Sequence, residues 1–401
     1  MKHFLFLILF FFSISSAFAQ EEDKKNANFF IRTDFEFGYV LQTDDFLRGN
    51  NLEGGTINQV HGGRIEAGWQ ARGGNVYDGL LNYPTFGVGF LSYGFPQTGE
   101  LGSPNALYLF MNNPLKRWGK KFSLNYFIRL GMSYNWEPND PAVNPANLVL
   151  GSFRNLYISG GIDAIYNFSP RMSTSVGFGL AHFSNGQSSL PNAGMNLLTP
   201  HISLKYNFND GEELDYKKLK KPAYKNKGME YYFTIGNGIR QIFFDSAQTR
   251  VSTKLGVSYP VHNLSMAAQY QFNWKGKFGG GLDFIYWGAQ NPGIELGPGG
   301  VVQAKPVPTN EKLQLGVFVS YEFVMNNFSI YAQPGFRVIR TEYDGMPTDF
   351  YQHLGGKYHV HNLVLGVAIR AINFGTAEYI EWNVGYRFGK KLNRDSHLGT
   401  Y

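Results

Sequence analysis

The sequence predicts an all-β protein, an antiparallel transmembrane β-barrel of about sixteen strands. Three observations carry this. Charged residues are only 16% of 401 residues while aromatics are also 16%, against roughly 25% charged in an ordinary soluble domain. Gly and Pro number 48 and 18, a turn-rich composition. The chain also alternates apolar and polar residues over runs of ten to fourteen, longer than the five or six usual for soluble strands. A strand sends successive side chains to opposite faces, so such runs have an apolar face and a polar one. Long two-faced strands with aromatics at their ends mark a barrel that is apolar outside and polar within. Closure follows, because lipid cannot satisfy the open edge of a sheet.

Taken in order, Met1–Gln20 comes first. Lys2 is followed by the apolar run Phe4–Phe12 and then by Ala17-Phe18-Ala19. This is the layout of a signal peptide over residues 1–19, with Gln20 as the mature start. No later apolar run is long enough for a membrane helix. Strands are then expected near 28–41, 59–72, 85–95, 105–113, 121–135, 155–168, 171–184 and 198–208. In the first, Phe29, Ile31, Phe35, Phe37, Tyr39 and Leu41 oppose Arg32, Asp34 and Glu36. A polar stretch, Asn209–Gly228, follows with Lys217, Lys218, Lys220, Lys221, Lys225 and Lys227. It reads as a solvated periplasmic linker or as a contact for a partner or anionic lipid. Eight more strands are expected near 230–242, 250–273 with a bend, 277–288, 312–325, 327–339, 349–359, 362–371 and 378–388. An even count puts both termini on the periplasmic side. Short turns such as Ser169-Pro170-Arg171 and Asn326-Asn327 alternate with longer polar loops, 136–154 and 290–311, and the long ones should be extracellular. The linker either separates two eight-stranded barrels or is one turn of a sixteen-stranded barrel.

The absence of Cys excludes disulfides, Cys-ligated zinc and thiol catalysis. A net charge of +6 without a compact basic stripe gives no case for nucleic acid. On the strand over 171–184, His182 and Ser184 share the parity of Met172, Val176, Phe178 and Leu180, which is the lipid face. From Met172 to Ser184 the strand climbs roughly 28 Å at ~3.3 Å per residue and ~45° tilt, close to the height of the apolar band. The pair therefore sits at the outer boundary of the hydrocarbon, where the acyl ester of a membrane lipid also sits. Residues i and i+2 on one face are ~7 Å apart, so the imidazole can reach the hydroxyl. A serine needs such a base to become a nucleophile, and the base needs a third group to hold its tautomer. If the parity of the strand over 198–208 extends upward, Asn196 shares the outward face and can accept from His182.

His182-Phe183-Ser184-Asn185-Gly186, then Pro191-Asn192, Gly194 and Asn196, then a strand ending Tyr206-Asn207-Phe208, resemble the outer-membrane lipid A 3-O-deacylases, the PagL-like or acyloxyacyl hydrolases. The resemblance covers roughly residues 28–208. It implies an eight-stranded barrel with a Ser-His-Glu triad on its outer face, which cleaves the ester-linked acyl chain at the 3-position of lipid A. It makes Ser184 the nucleophile and His182 the base, and puts the oxyanion donors around Asn185, Gly186 and Asn192. The family's acid falls on Asn196, whose carbonyl can orient the imidazole without supplying a charge. The implied partner is lipid A or lipopolysaccharide in the outer leaflet of a Gram-negative outer membrane; neither cofactor nor metal is implied. Residues 229–401 look like the second half of extended members in Bacteroidetes-type bacteria, and no role attaches to them. The competing reading is a porin-like channel or a structural barrel.

Other candidates are weaker. Arg64, Glu66, Gln70 and Arg72 share a lumen-facing parity and read as a packed polar interior, or as a pore or secondary site. His359 and His361 flank a turn and lack a third ligand spaced to make a metal site. Gly236-Asn237-Gly238 lies within a strand, whereas a phosphate loop needs a following helix.

Overall fold

The computed structural model describes residues 27–73, 76–208, 227–244, 255–298 and 302–389. The expected signal peptide and nearly all of the Lys-rich linker lie outside these residues. The first barrel is closed by eight antiparallel strands: β1 (Ala27–Val40), β2 (Gln59–Ala71), β3 (Thr85–Gly94), β4 (Gly102–Trp118), β5 (Phe122–Trp136), β6 (Asn155–Asn167), β7 (Met172–Ser184) and β8 (Met195–Asn207). Closure is between β1 and β8, with Phe35 opposite Ile202.

The second barrel is built from β9 (Gly228–Phe244), β10 (Leu255–Gln271), β11 (Gly276–Trp287), β14 (Leu313–Met325), β15 (Phe328–Ile339), β16 (Phe350–Val360), β17 (Leu363–Ile372) and β18 (Thr376–Gly389). It closes between β9 and β18. A small hairpin, β12 (Ile294–Leu296) with β13 (Val302–Ala304), and a 3₁₀ turn at Thr309–Lys312 lie in the long loop before β14. The sixteen barrel strands therefore form two barrels, which decides between the two arrangements the sequence allowed.

Local differences from the sequence expectation have physical causes. The strand expected over 105–113 runs from Gly102 to Trp118. Pro104 and Pro114 read as stops, but register shifts against β5 at Gly102/Asn105 and Pro114/Lys116 absorb them, as bulges do. The bend expected within 250–273 is absent over β10, which pairs with β9 from Leu255 to Gln271 without a shift. The expected loop over 290–311 contains the β12–β13 hairpin, and a short helix, α1 (Val76–Leu80), stands between β2 and β3. The turn at Asn326 uses a left-handed residue, φ 61°, which asparagine tolerates.

The outward faces are apolar and bare. Phe35, Ile65, Val176 and Leu180 are half or more exposed, as are Tyr231 and Val319 on the second barrel, which suits lipid rather than water.

The lumens are largely filled, apart from a cavity at the short-turn end of the first, lined by Arg32, Glu66, Asn112 and Lys205 among others. In the first barrel Arg32 reaches Asp34 and Asp163, both at 3.0 Å. Arg129 pairs with Glu66 at 2.9 Å, Arg64 with Glu36, and His201 Nε2 with Asp163 at 2.8 Å. Gly177 makes room for that last pair, since a Cβ there would stand 2.2 Å from both Asp163 and His201. Arg64, Glu66 and Gln70 are thus interior packing, as their parity implied, while Arg72 lies one residue beyond β2. Aromatic and aliphatic residues close the long-loop end, among them Phe46, Tyr93, Trp136, Tyr157 and Phe183. The second lumen repeats the scheme. Lys277 lies between Glu230 and Glu322 at 2.8 and 3.1 Å, Tyr351 donates to Asp283 at 2.7 Å, and Trp287 and Tyr379 pack with Val261 and Ile285 at the long-loop end. Eight strands enclose only enough space for side chains. Purified protein in planar bilayers should therefore show no steady ion conductance; a stable open-channel current would contradict the packed lumens.

Candidate active site on the outward face

Strand pairing brings the site together. β7 and β8 run antiparallel with His182 opposite Asn196, and the loop 185–194 that joins them folds back over their ends. His182 Nδ1 and Asn196 Oδ1 are 2.7 Å apart. An amide oxygen can only accept, so Nδ1 carries the proton and Nε2 keeps a lone pair, the form required of a general base. Asn196 stands inside β8, whose first residue is Met195, three positions before the start that the sequence pattern suggested.

Ser184 is the last residue of β7. Its Oγ accepts from the Gly186 backbone N–H at 3.1 Å and from Asn192 Nδ2 at 2.9 Å. Asn192 is itself aimed, because its Oδ1 accepts from the Asn185 N–H at 3.1 Å. Two donors of different origin thus converge on the serine oxygen. Neither is His182: the imidazole and the hydroxyl share the outward face two residues apart without a hydrogen bond between them. Catalytic contacts of this kind commonly tighten only when substrate binds.

Asn185 has a different place from the one the resemblance suggested. Its side-chain amide donates to Ser152 Oγ at 3.1 Å and to the Ser189 carbonyl at 2.7 Å, so it ties the loop down while its backbone N–H sets Asn192. The neighbouring loop 137–154 completes the frame: Ala193 and Gly194 N–H donate to the carbonyls of Leu148 and Val149. Gly186 and Gly194 both have left-handed backbone, φ 60° and 77°. At Gly194 a Cβ would lie 2.9 Å from His182 Cε1, so a side chain there would push the imidazole away. Ser184 and Asn185 are 8% and 3% exposed although Ser184 has lipid-facing parity; the folded loop covers them.

Several features escaped the sequence reading. Ser152 is an ordinary loop serine until the fold places it beside Asn185. On the second barrel His262 Nδ1 and Asn237 Oδ1 are 2.8 Å apart on the outward face, the same pairing as His182 with Asn196. The positions two residues from His262 on its strand are Pro260 and Leu264, so no serine stands to it as Ser184 stands to His182; its cross-strand neighbour is Tyr286. His359 is buried in the lumen 3.8 Å from Glu322, and His361 occupies the turn with φ 56°.

Fold and site together define an outer-membrane-type β-barrel with an outward-facing Ser, His and Asn grouping. Residues 229–391 match the family model described as PagL_C, acyloxyacyl hydrolase, C-terminal domain. That match supports a PagL-like assignment for this part of the chain. The match covers the second barrel, the half to which the sequence motifs gave no role. No curated protein matches the chain. Among solved structures, a triple mutant of the Rhodopseudomonas blastica porin is 9% identical, covers 90% of this chain and 100% of its own, and has a TM-score of 0.17. A deletion mutant of the monoaromatic hydrocarbon channel TodX is 10% identical over 92% of this chain and 91% of its own, with a TM-score of 0.19. Likeness at that level carries no argument about mechanism.

Proposed function

We propose that the chain is an outer-membrane esterase that removes an ester-linked acyl chain from lipid A, acting at the outer leaflet with Ser184 as nucleophile. The observation that supports this most is the convergence of Gly186 N–H and Asn192 Nδ2 on Ser184 Oγ, beside an imidazole whose tautomer Asn196 fixes. In the proposed reaction Ser184 Oγ attacks the ester carbonyl and His182 Nε2 takes its proton. The oxyanion forms one carbon away from Oγ, within reach of the same two donors, which stabilise it. The tetrahedral intermediate collapses with the proton passing from His182 to the departing sugar hydroxyl. Water then attacks the acyl-serine with His182 again as base, releasing the fatty acid. Placement at the hydrocarbon boundary suits a substrate whose ester lies at that depth.

The departure at Asn196 provides the test. Asn196→Leu removes the acceptor from Nδ1 and should leave only residual release of fatty acid. Asn196→Glu keeps an acceptor and adds a charge that stabilises the imidazolium, an effect of a few kcal/mol in a partly buried site, so turnover should be preserved or raised. Lipid A mass spectrometry before and after treatment with each protein reads the lost acyl chain directly. Equal release by wild type and Asn196→Leu would remove Asn196 from the mechanism.

A further inference from the structure

The loop that carries the oxyanion donors is held from both sides, and one side is the second barrel. Gln241 lies on the outward parity of β9 with Ile235 and Ile239. Its side-chain Oε1 accepts from the Leu190 N–H at 2.6 Å. Its backbone N–H donates to the Gln187 carbonyl at 2.8 Å. One residue of the second barrel thus brackets loop positions 187 and 190, between Gly186 and Asn192. On β18 Ile380 closes against the same loop, since a Cβ on Gly186 would stand 2.4 Å from its Cγ1. A second tie joins the barrels at the short-turn end, where Tyr77 OH donates to the Trp274 carbonyl at 2.8 Å. Elsewhere the outward faces stay bare: Phe35 and Ile202 on the first barrel and Ile235 and Met266 on the second are each more than two-fifths exposed. Of the described hydrogen bonds between the barrels, two of the three, both from Gln241, fall on the 185–194 loop.

We propose that Gln241 is a positioning residue for the esterase site, so that the second barrel serves as the clamp that presents Gly186 N–H and Asn192 Nδ2 to the reacting oxygen. This rests on the esterase reading given above. The clamp acts on the oxyanion donors and leaves the nucleophile, the base and the lipid-facing strands in place. Its loss should therefore lower kcat with little change in KM.

The experiment compares full-length wild type, Gln241→Ala and Gln241→Glu in detergent micelles. Hydrogen exchange across 185–192 is read by mass spectrometry, and fatty-acid release from lipopolysaccharide is read alongside. Gln241→Ala removes the acceptor of one backbone hydrogen bond, so loop exchange should rise roughly fivefold and kcat should fall by about the same factor or more. Gln241→Glu keeps an acceptor oxygen and should restore both. Heat-modifiable mobility in all three proteins shows that the barrels remain closed. Unchanged loop exchange in Gln241→Ala overturns the clamp; so does a loosened loop with wild-type kcat. A wild-type protein that releases no fatty acid overturns the esterase reading instead, and the clamp is then judged by exchange alone.

Discussion

Ser184→Ala is expected to abolish fatty-acid release, with a loss of several orders of magnitude, and to leave the barrel intact. The size follows from the chemistry: without the nucleophile only binding and the oxyanion donors remain, and a triad that acts as a unit collapses when either its nucleophile or its base is removed. His182→Ala should cost about as much, and the double variant little more than either. Stability should fall only modestly, by about 1–3 kcal/mol, because Gly186 N–H and Asn192 Nδ2 lose a shared acceptor at the end of β7. The assay is release of fatty acid from lipopolysaccharide, read beside the heat-modifiable shift in gel mobility. Wild-type release by Ser184→Ala would end the esterase assignment at this site.

The largest effect on stability is expected inside the first barrel. Asp163 receives Arg32 Nη1 at 3.0 Å, Asn112 Nδ2 at 2.7 Å and His201 Nε2 at 2.8 Å. Asp163→Leu deprives the buried Arg32 guanidinium of one of its counter-ions, Asp34 remaining, and leaves two further donors without their acceptor. Breaking a buried pair in this one-sided way costs about 3–5 kcal/mol, so the urea midpoint in detergent should fall clearly below that of Ser184→Ala measured in parallel. Equal midpoints for the two variants would mean that lumen charges contribute little to holding the barrel together.

The barrel strands were legible because period-2 alternation is strong wherever one face meets lipid and the other meets charge. β5 and β14 match their expected ranges to within a residue for that reason. The turns and proline-bearing segments were less legible. Pro104 and Pro114 punctuate a sequence, yet a bulge on a twisted strand accommodates them. The number of barrels was open because alternation gives strand faces and says nothing about which strand closes on which; that is decided by the pairing of β1 with β8. At the site, the outward parity of His182 and Ser184 and the reach to Asn196 could be read from spacing alone. The task of Asn185 could not, since its amide is occupied by Ser152 from a loop some thirty residues earlier. Gln241 was invisible for the same reason: a glutamine near the end of a strand has no signature until another barrel's loop arrives to use it.

The charges that fill each lumen also constrain how the protein enters its membrane. Arg32 lies on β1 and its partner Asp163 on β6; Lys277 lies on β11 while Glu230 and Glu322 lie on β9 and β14. A strand inserted by itself would hold Arg32 inside the hydrocarbon with lipid on every side, at a cost of about 2–4 kcal/mol at mid-depth, and Lys277, beside the turn before β11, at a smaller one. Part of the neutralisation is local, from Asp34 on β1 and from Glu322 on the neighbouring β14, but Asp163 reaches Arg32 and Glu230 reaches Lys277 from strands further along the chain, so the matching is complete only when the cylinder closes. Stepwise threading of hairpins into hydrocarbon is therefore an uphill route, and each barrel has reason to curl and seal its seam as it crosses.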